Sequence, residues 1–99
     1  MIDLNKISGF QWDRWNLDKS YKKHGITPNE TEEVFLDESV KIEKDIKHRE
    51  QEKRFIAIGK TTEGKMLFVV FTIRADKVRV ISGRMANKKE KEVYQKKSK

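Results

Sequence analysis

His24 closes the basic run Lys22-Lys23-His24-Gly25, and three arginines, Arg74, Arg79 and Arg84, stand far downstream at or near the ends of apolar stretches. An imidazole titrates near neutral pH and can move a proton in either direction. An arginine fork is always charged and grips two phosphate oxygens at once. Together they suit phosphate-ester chemistry on RNA without a metal. In that reaction the 2′-hydroxyl attacks the adjacent phosphate, one proton is removed, another is given to the leaving 5′-oxygen, and cationic donors stabilise the added charge on the phosphorane. Tyr94 is a second candidate for the proton steps.

Competing chemistries find less support. His24 and His48 lie far apart and lack companions at ligand spacing, there is no cysteine, and no glycine-rich phosphate loop is present, so neither a metal nor a cofactor is expected. The stretch from Gly59 to Gly64 lacks the Gly-Lys-Ser/Thr ending of a P-loop and reads as a hairpin turn. No serine or cysteine nucleophile is paired with a base. Each cation also has a structural reading: Arg79 as an exposed cross-strand partner of an acid, His24 as a helix-end residue. Trp12 and Trp15 suit either base stacking or core packing.

Phe10 and Trp12 alternate with polar residues, as in a short edge strand or extended lead-in. From Asp13 the spacing of Leu17, Tyr21 and His24 predicts a helix that stops at Gly25. Thr27-Pro28-Asn29-Glu30 is a capping box, with proline at the first helical position, and starts a second helix that runs to about Phe35. Val40 to Glu52 is charged and has too few apolar residues to hold a core. Three strands follow as an antiparallel meander: Arg54 to Gly59, Met66 to Thr72, and one carrying Val78 and Val80, joined by turns at Thr61–Gly64 and Ala75-Asp76. Met66 to Phe71 reads as a strand buried on both faces. Strict alternation sets Arg74 on the face of Met66, Phe68, Val70 and Thr72, and Arg84 on the face of Val78, Val80 and Ser82. Asn87-Lys88-Lys89-Glu90 repeats the cap signature and opens a weakly apolar C-terminal helix, with residues 95–99 as a flexible basic tail.

Ninety-nine residues are expected to form one α+β domain with a modest core. With 39% charged residues, a longest apolar run of Met66 to Phe71 and no signal-like start at Met1-Ile2-Asp3-Leu4, the expectation is a cytoplasmic protein without membrane contact. The net charge of +7 is unevenly spread: residues 27–46 carry two lysines against seven acids, whereas residues 47–81 carry nine bases against four acids. A basic strand-and-tail surface for a polyanion, set apart from an acidic segment, follows from this layout.

The ordered set Phe10-Gln11-Trp12-Asp13, Asn16, Lys22 to Thr27, Glu33-Val34-Phe35, Arg54 to Gly59, Phe68 to Arg74, Arg79 to Arg84 and Glu90 to Tyr94 resembles the BrnT toxin family over nearly the whole chain. The resemblance implies a RelE-like fold and a metal-independent ribonuclease that arrests translation. It also implies a cognate BrnA antitoxin with a ribbon-helix-helix domain, through which the complex binds operator DNA. The family's Lys-His-Gly piece falls on Lys23, His24 and Gly25, and its strand arginines fall on Arg54, Arg74, Arg79 and Arg84. On this basis His24, Arg74, Arg79, Arg84 and Tyr94 are the expected catalytic set, and Lys22, Lys23, Arg54, Lys60 and Lys88 the expected RNA-binding cations. Two positions depart from the family pattern: Gly83 stands where alanine is common, and Arg49 follows His48 where serine is common. The alternative is a non-catalytic basic protein, an inactive toxin homologue that holds nucleic acid or a partner, and convergence of His24 with the arginines would separate the two.

Overall fold

Met66-Leu67-Phe68-Val69-Val70-Phe71 is rich in β-branched and aromatic residues and bounded by turns, which favours a pleated strand over a helix. It forms most of the central strand of a five-stranded sheet in a computed structural model that describes residues 9–12, 25–44 and 53–96, with residues 11 and 12 described by backbone alone. The elements in chain order are β1 (Gly9–Trp12), α1 (Pro28–Leu36), β2 (Lys41–Lys44), β3 (Phe55–Lys60), β4 (Met66–Arg74), β5 (Lys77–Met85) and α2 (Lys88–Gln95). Strand order across the sheet is β1-β5-β4-β3-β2. The helix predicted from Asp13 to His24 lies outside the described residues. Gly25 has φ +68°, in the left-handed region that glycine adopts without strain.

Both predicted helix starts are present with reciprocal caps. The Glu30 amide donates to Thr27 Oγ1 at 3.2 Å while the Thr27 amide donates to Glu30 Oε1 at 2.9 Å. The Glu90 and Asn87 amides and side chains repeat the exchange at 2.9 and 2.8 Å. Each box satisfies two amide donors that a helix leaves without an internal partner. The predicted turn between β4 and β5 is as tight as a hairpin allows: Arg74 pairs with Lys77, and Ala75 and Asp76 both take positive φ, 47° and 63°.

Two expectations about the sheet need correction. The charged stretch after Val40 contains a strand, since Lys41–Lys44 pairs antiparallel with β3, Ile42 opposite Ala57. An edge strand does not need its own core: Val40 and Ile42 pack against the cluster the other strands provide. The sheet is also mixed rather than a pure meander, because β1 runs parallel to β5, Phe10 opposite Val78. Sequence periodicity reports an extended segment, not its partner or direction.

The two faces of the sheet are covered unequally. On one, Ile26, Val34 and Phe35 of the α1 region pack on Ala57, Leu67, Val69, Phe71, Val78 and Val80, with Phe71 fully buried. Phe35 meets the edges of Phe10 and Phe71 at centroid distances of 5.4 and 5.0 Å. On the other, α2 lays Val93 and Tyr94 over Ile58, Met66, Phe68 and Ala86 and leaves Val70 half-exposed. The strand predicted to be buried on both faces is therefore fully covered on one face and partly on the other.

The α1 face is close-packed at Gly59, where a Cβ would stand 2.9 Å from Val34 Cγ1 and 3.0 Å from the Val34 carbonyl oxygen. At Gly83 a Cβ would meet Thr31 Oγ1 at 3.5 Å, an ordinary contact, so an alanine fits here. Gly59→Ala is expected to destabilise the fold by about 1–3 kcal/mol through overpacking. Gly83→Ala is expected to be neutral or stabilising by up to about 1 kcal/mol, because a strand glycine loses more freedom on folding. Thermal unfolding of the two variants checks both, and equal midpoints would refute the close approach at Gly59.

Candidate nucleic-acid interface

Arg79 and Arg84 are five residues apart, an odd spacing that in a regular strand sends two side chains to opposite faces. In β5 they share a face. Val70 pairs with Ser82 but Phe71 pairs with Val80, so Ile81 is an extra residue, a β-bulge that resets the alternation. Arg79 then pairs with Thr72 and Arg84 with Phe68, and Thr72 and Phe68 lie on one side of β4 together with Arg74. The expectation that Arg84 sits with Val78 and Val80 is thus corrected. Those valines are buried under α1, while Arg84 lies on the opposite face beside Phe68.

The register places the surrounding side chains as well. Lys41, Ile58, Phe68 and Arg84 form one row across the face, Glu43, Ile56, Val70 and Ser82 the next, then Thr72 with Arg79, and last Arg74 with Lys77. Arg74 and Arg79 are diagonal neighbours at about 7–8 Å between Cα atoms. Arg84 lies about 13 Å from Arg79 along the strand, given a rise near 3.3 Å per residue. The strand rows of this face carry Lys41, Arg74, Lys77, Arg79 and Arg84 together with Glu43. Lys77 and Lys41 were not singled out from the sequence. Parity with Arg79 would have marked Lys77, whereas Lys41 needed the unforeseen strand β2.

Arg84 is held by four contacts. Its NH1 and NH2 groups donate to Glu90 Oε1 and Oε2 at 2.8 and 2.7 Å, NH1 also donates to the Met85 carbonyl oxygen at 3.1 Å, and Cζ stands 4.1 Å from the Phe68 ring centroid. The bonds to Glu90 raise the Arg84 pKa. Burial pushes the Glu90 carboxyl up, but hydrogen bonds from Arg84 and the Asn87 amide outweigh it and hold the group below its ordinary value. The Asn87–Glu90 spacing predicts the cap, and nothing in the sequence signals the second partner of Glu90.

Tyr94 anchors the other end of α2. Its hydroxyl donates to Asp37 Oδ2 at 2.7 Å, and that oxygen also accepts the Lys60 amide at 2.8 Å, where β3 has run past the end of β2. Burial raises the Tyr94 pKa and the bond to Asp37 raises it further, so the group is a phenol at neutral pH. Lys60 is exposed, with Nζ 5.7 Å from the Tyr94 ring centroid, Lys88 is the exposed first residue of α2, and Arg54 is half-buried just before β3. Lys22, Lys23 and His24 lie outside the described residues. Among the described residues no three His, Cys, Asp or Glu side chains cluster in a way that could hold a metal ion, and no helix is long and apolar enough to cross a membrane.

The family model for the ribonuclease toxin BrnT, of type II toxin-antitoxin systems, matches residues 12–90. The chain belongs to the BrnT toxin family. The fold is similar to the crystal structure of the Brucella abortus ribonuclease toxin BrnT, with a TM-score of 0.63 and 26% identity, covering 81% of this chain and 97% of that one. No match was found among curated proteins. Membership in the BrnT family makes the chain a toxin of a ribonuclease family and gives it RNA as target class and an antitoxin as partner. The five-stranded mixed sheet with α1 and α2 on its two faces is the BrnT-like architecture.

Glu30, Asp37 and Glu90 all have lowered pKa values in the folded chain, Glu30 chiefly through the Lys65 ammonium 2.6 Å away. A carboxyl with a depressed native pKa contributes stability that is fully present above its ordinary value and lost as pH falls through the native one. The melting midpoint is therefore expected to fall as pH drops below about 4. Asp37→Ala, which removes the acceptor of Tyr94 and Lys60, should cost about 1–3 kcal/mol at neutral pH and flatten the acid decline. Melts across pH 2–7 check both: superimposed curves for the two proteins would show that Asp37 contributes nothing, and offset but parallel curves that its titration does not.

Proposed function

We propose that this BrnT-family protein is a metal-independent endoribonuclease that binds RNA across the α2 face of its sheet and cuts by attack of the 2′-hydroxyl on the neighbouring phosphate. The observation that carries this reading is the Ile81 bulge, which gathers Arg74, Arg79 and Arg84 on one face. The half-buried floor of Ile56 and Val70 lies between the β5 arginines and the β2 edge. Permanently charged guanidinium groups on that face can stabilise a phosphorane without Lewis-acid help. Lys60 beside α2, Lys88 at its start and Arg54 before β3 extend the cationic track that the RNA backbone follows, and Lys22 and Lys23 are further RNA-binding candidates by charge alone. The proton steps fall to His24. Tyr94, a phenol bound to Asp37, is better suited to holding α2 in place than to accepting a proton.

In cells such cleavage arrests translation, and a small ribbon-helix-helix antitoxin of the BrnA type neutralises it by covering the same face and carries the complex to operator DNA. Part of that attraction is between exposed charges and weakens with salt.

Purified protein is expected to cut RNA in the presence of a chelator and to leave 2′,3′-cyclic or 3′-phosphate ends. A strict requirement for a divalent cation would sink the metal-independent chemistry, and RNA binding without cleavage would favour the inactive homologue. Arg74→Ala and Arg79→Ala should each lower kcat/KM by about a hundredfold or more, with lysine restoring a part, since a lost charge-assisted phosphate contact costs on the order of 2–4 kcal/mol in the transition state. Wild-type rates with unchanged melts would assign both arginines a structural role.

A further inference from the structure

A guanidinium has five N–H donors arranged along two usable edges, one formed by the two terminal nitrogens and one by Nε with a terminal nitrogen. In Arg84 the first edge is taken: NH1 and NH2 each meet one oxygen of Glu90. The outer hydrogen of NH1 is taken by the Met85 carbonyl, and one flat side of the group lies on Phe68. Among the described residues no acceptor meets Nε or the outer hydrogen of NH2. The Arg84 side chain is 38% exposed and Glu90 15%, so the carboxylate is the inner partner and the guanidinium the outer one. Glu90 cannot easily turn away, because the same carboxylate accepts the Asn87 amide at 2.8 Å and sits in the first turn of α2.

We propose that Glu90 is a positioning residue of the RNA site, fixing Arg84 between α2 and Phe68 so that its Nε–NH2 edge is presented to a phosphate as a second, parallel pair of donors. This rests on the reading of the α2 face as the RNA surface. The arrangement removes the rotamer freedom that a long arginine otherwise loses on binding. It also makes the end of α2 part of the site, since the capping box that starts the helix and the clamp on Arg84 share one carboxylate. Arg84 differs in this from a solvated cation: its charge is partly offset by Glu90, so what it offers is direction more than net attraction.

Helix capping and arginine positioning can be separated. Glu90→Gln keeps a capping-box side chain at the third helical position, but its amide offers one acceptor oxygen and turns its own donors toward the guanidinium. Asn87→Ala does the reverse, weakening the cap and leaving the Glu90 carboxylate on Arg84. Glu90→Gln is expected to lower kcat by about tenfold to a hundredfold, the scale of a misplaced binding group, measured below its somewhat lowered melting temperature, with no further loss of kcat in an Arg84→Ala background. Asn87→Ala is expected to lower the melting temperature and leave kcat near wild type below the melt.

Independently of cleavage, the Nε–H resonance of Arg84 should shift when an oligoribonucleotide with 2′-O-methyl groups, which lack the attacking hydroxyl, is titrated into the wild-type protein. The shift should be lost in Glu90→Gln. Full activity in Glu90→Gln, or a protein that cuts RNA while Arg84 stays silent in the titration, overturns the positioning role and leaves the ribonuclease reading standing. A protein that does not cut RNA but shows the Arg84 shift and its loss in Glu90→Gln keeps the Arg84 subsite and overturns the cleavage chemistry. Silence in both experiments overturns both.

Discussion

One unpaired residue in β5 governs what each face of this sheet can do. Val78 and Val80 must point under α1, where they are almost fully buried, and Gly83 must also lie on that side because Thr31 and Ile26 cover it. Regular alternation cannot satisfy both demands, since Val80 and Gly83 are three residues apart. Ile81 absorbs the mismatch by standing without a partner between the Val80–Phe71 and Ser82–Val70 pairs. The cost is a local break in the ladder, the usual cost of a bulge. The return is that Arg79 and Arg84 both leave the core, on the same side as Arg74.

The helices divide the labour in a similar way. α1 is an ordinary packing helix whose Val34 and Phe35 complete the larger core. α2 has no fully buried residue, and a helix with so little apolar surface depends on polar tethers for a fixed position. It has one at each end, Glu90 on Arg84 and Tyr94 on Asp37. Both reach residues that are themselves part of other elements' hydrogen bonding, so α2 is fastened to the strand that carries an arginine and to the turn that closes α1. The tethers fix α2 over Ile58 and Phe68, and Ile56 and Val70 in the next row are half-buried.

An open sheet face with fixed cations fits a family whose chemistry is on RNA. Phosphate recognition rewards direction as well as charge, and a strand supplies direction more rigidly than a loop. Arg74 ends β4, Arg79 lies within β5, and Arg84 is held by Glu90, the Met85 carbonyl and the Phe68 ring beside α2.

Much of the local structure could be read from the chain alone. The Thr27 and Asn87 capping boxes, the Ala75-Asp76 turn and the strands on either side depend on residues within a few positions of one another, and short-range sterics and hydrogen bonding decide them. The chemical character of Arg74, Arg79 and Arg84 was also legible, because it belongs to the side chains themselves. Their common face was not, because parity counting assumes regular pairing, and the bulge at Ile81 exists to reconcile two core contacts made by distant elements. The same holds for β2 and for the parallel pairing of β1, whose short segments have no preference that a neighbour does not supply. Glu90 shows the division most clearly. Its place in the capping box was fixed by spacing, three residues after Asn87, whereas its grip on Arg84 arises only when β5 and α2 are brought together over Phe68.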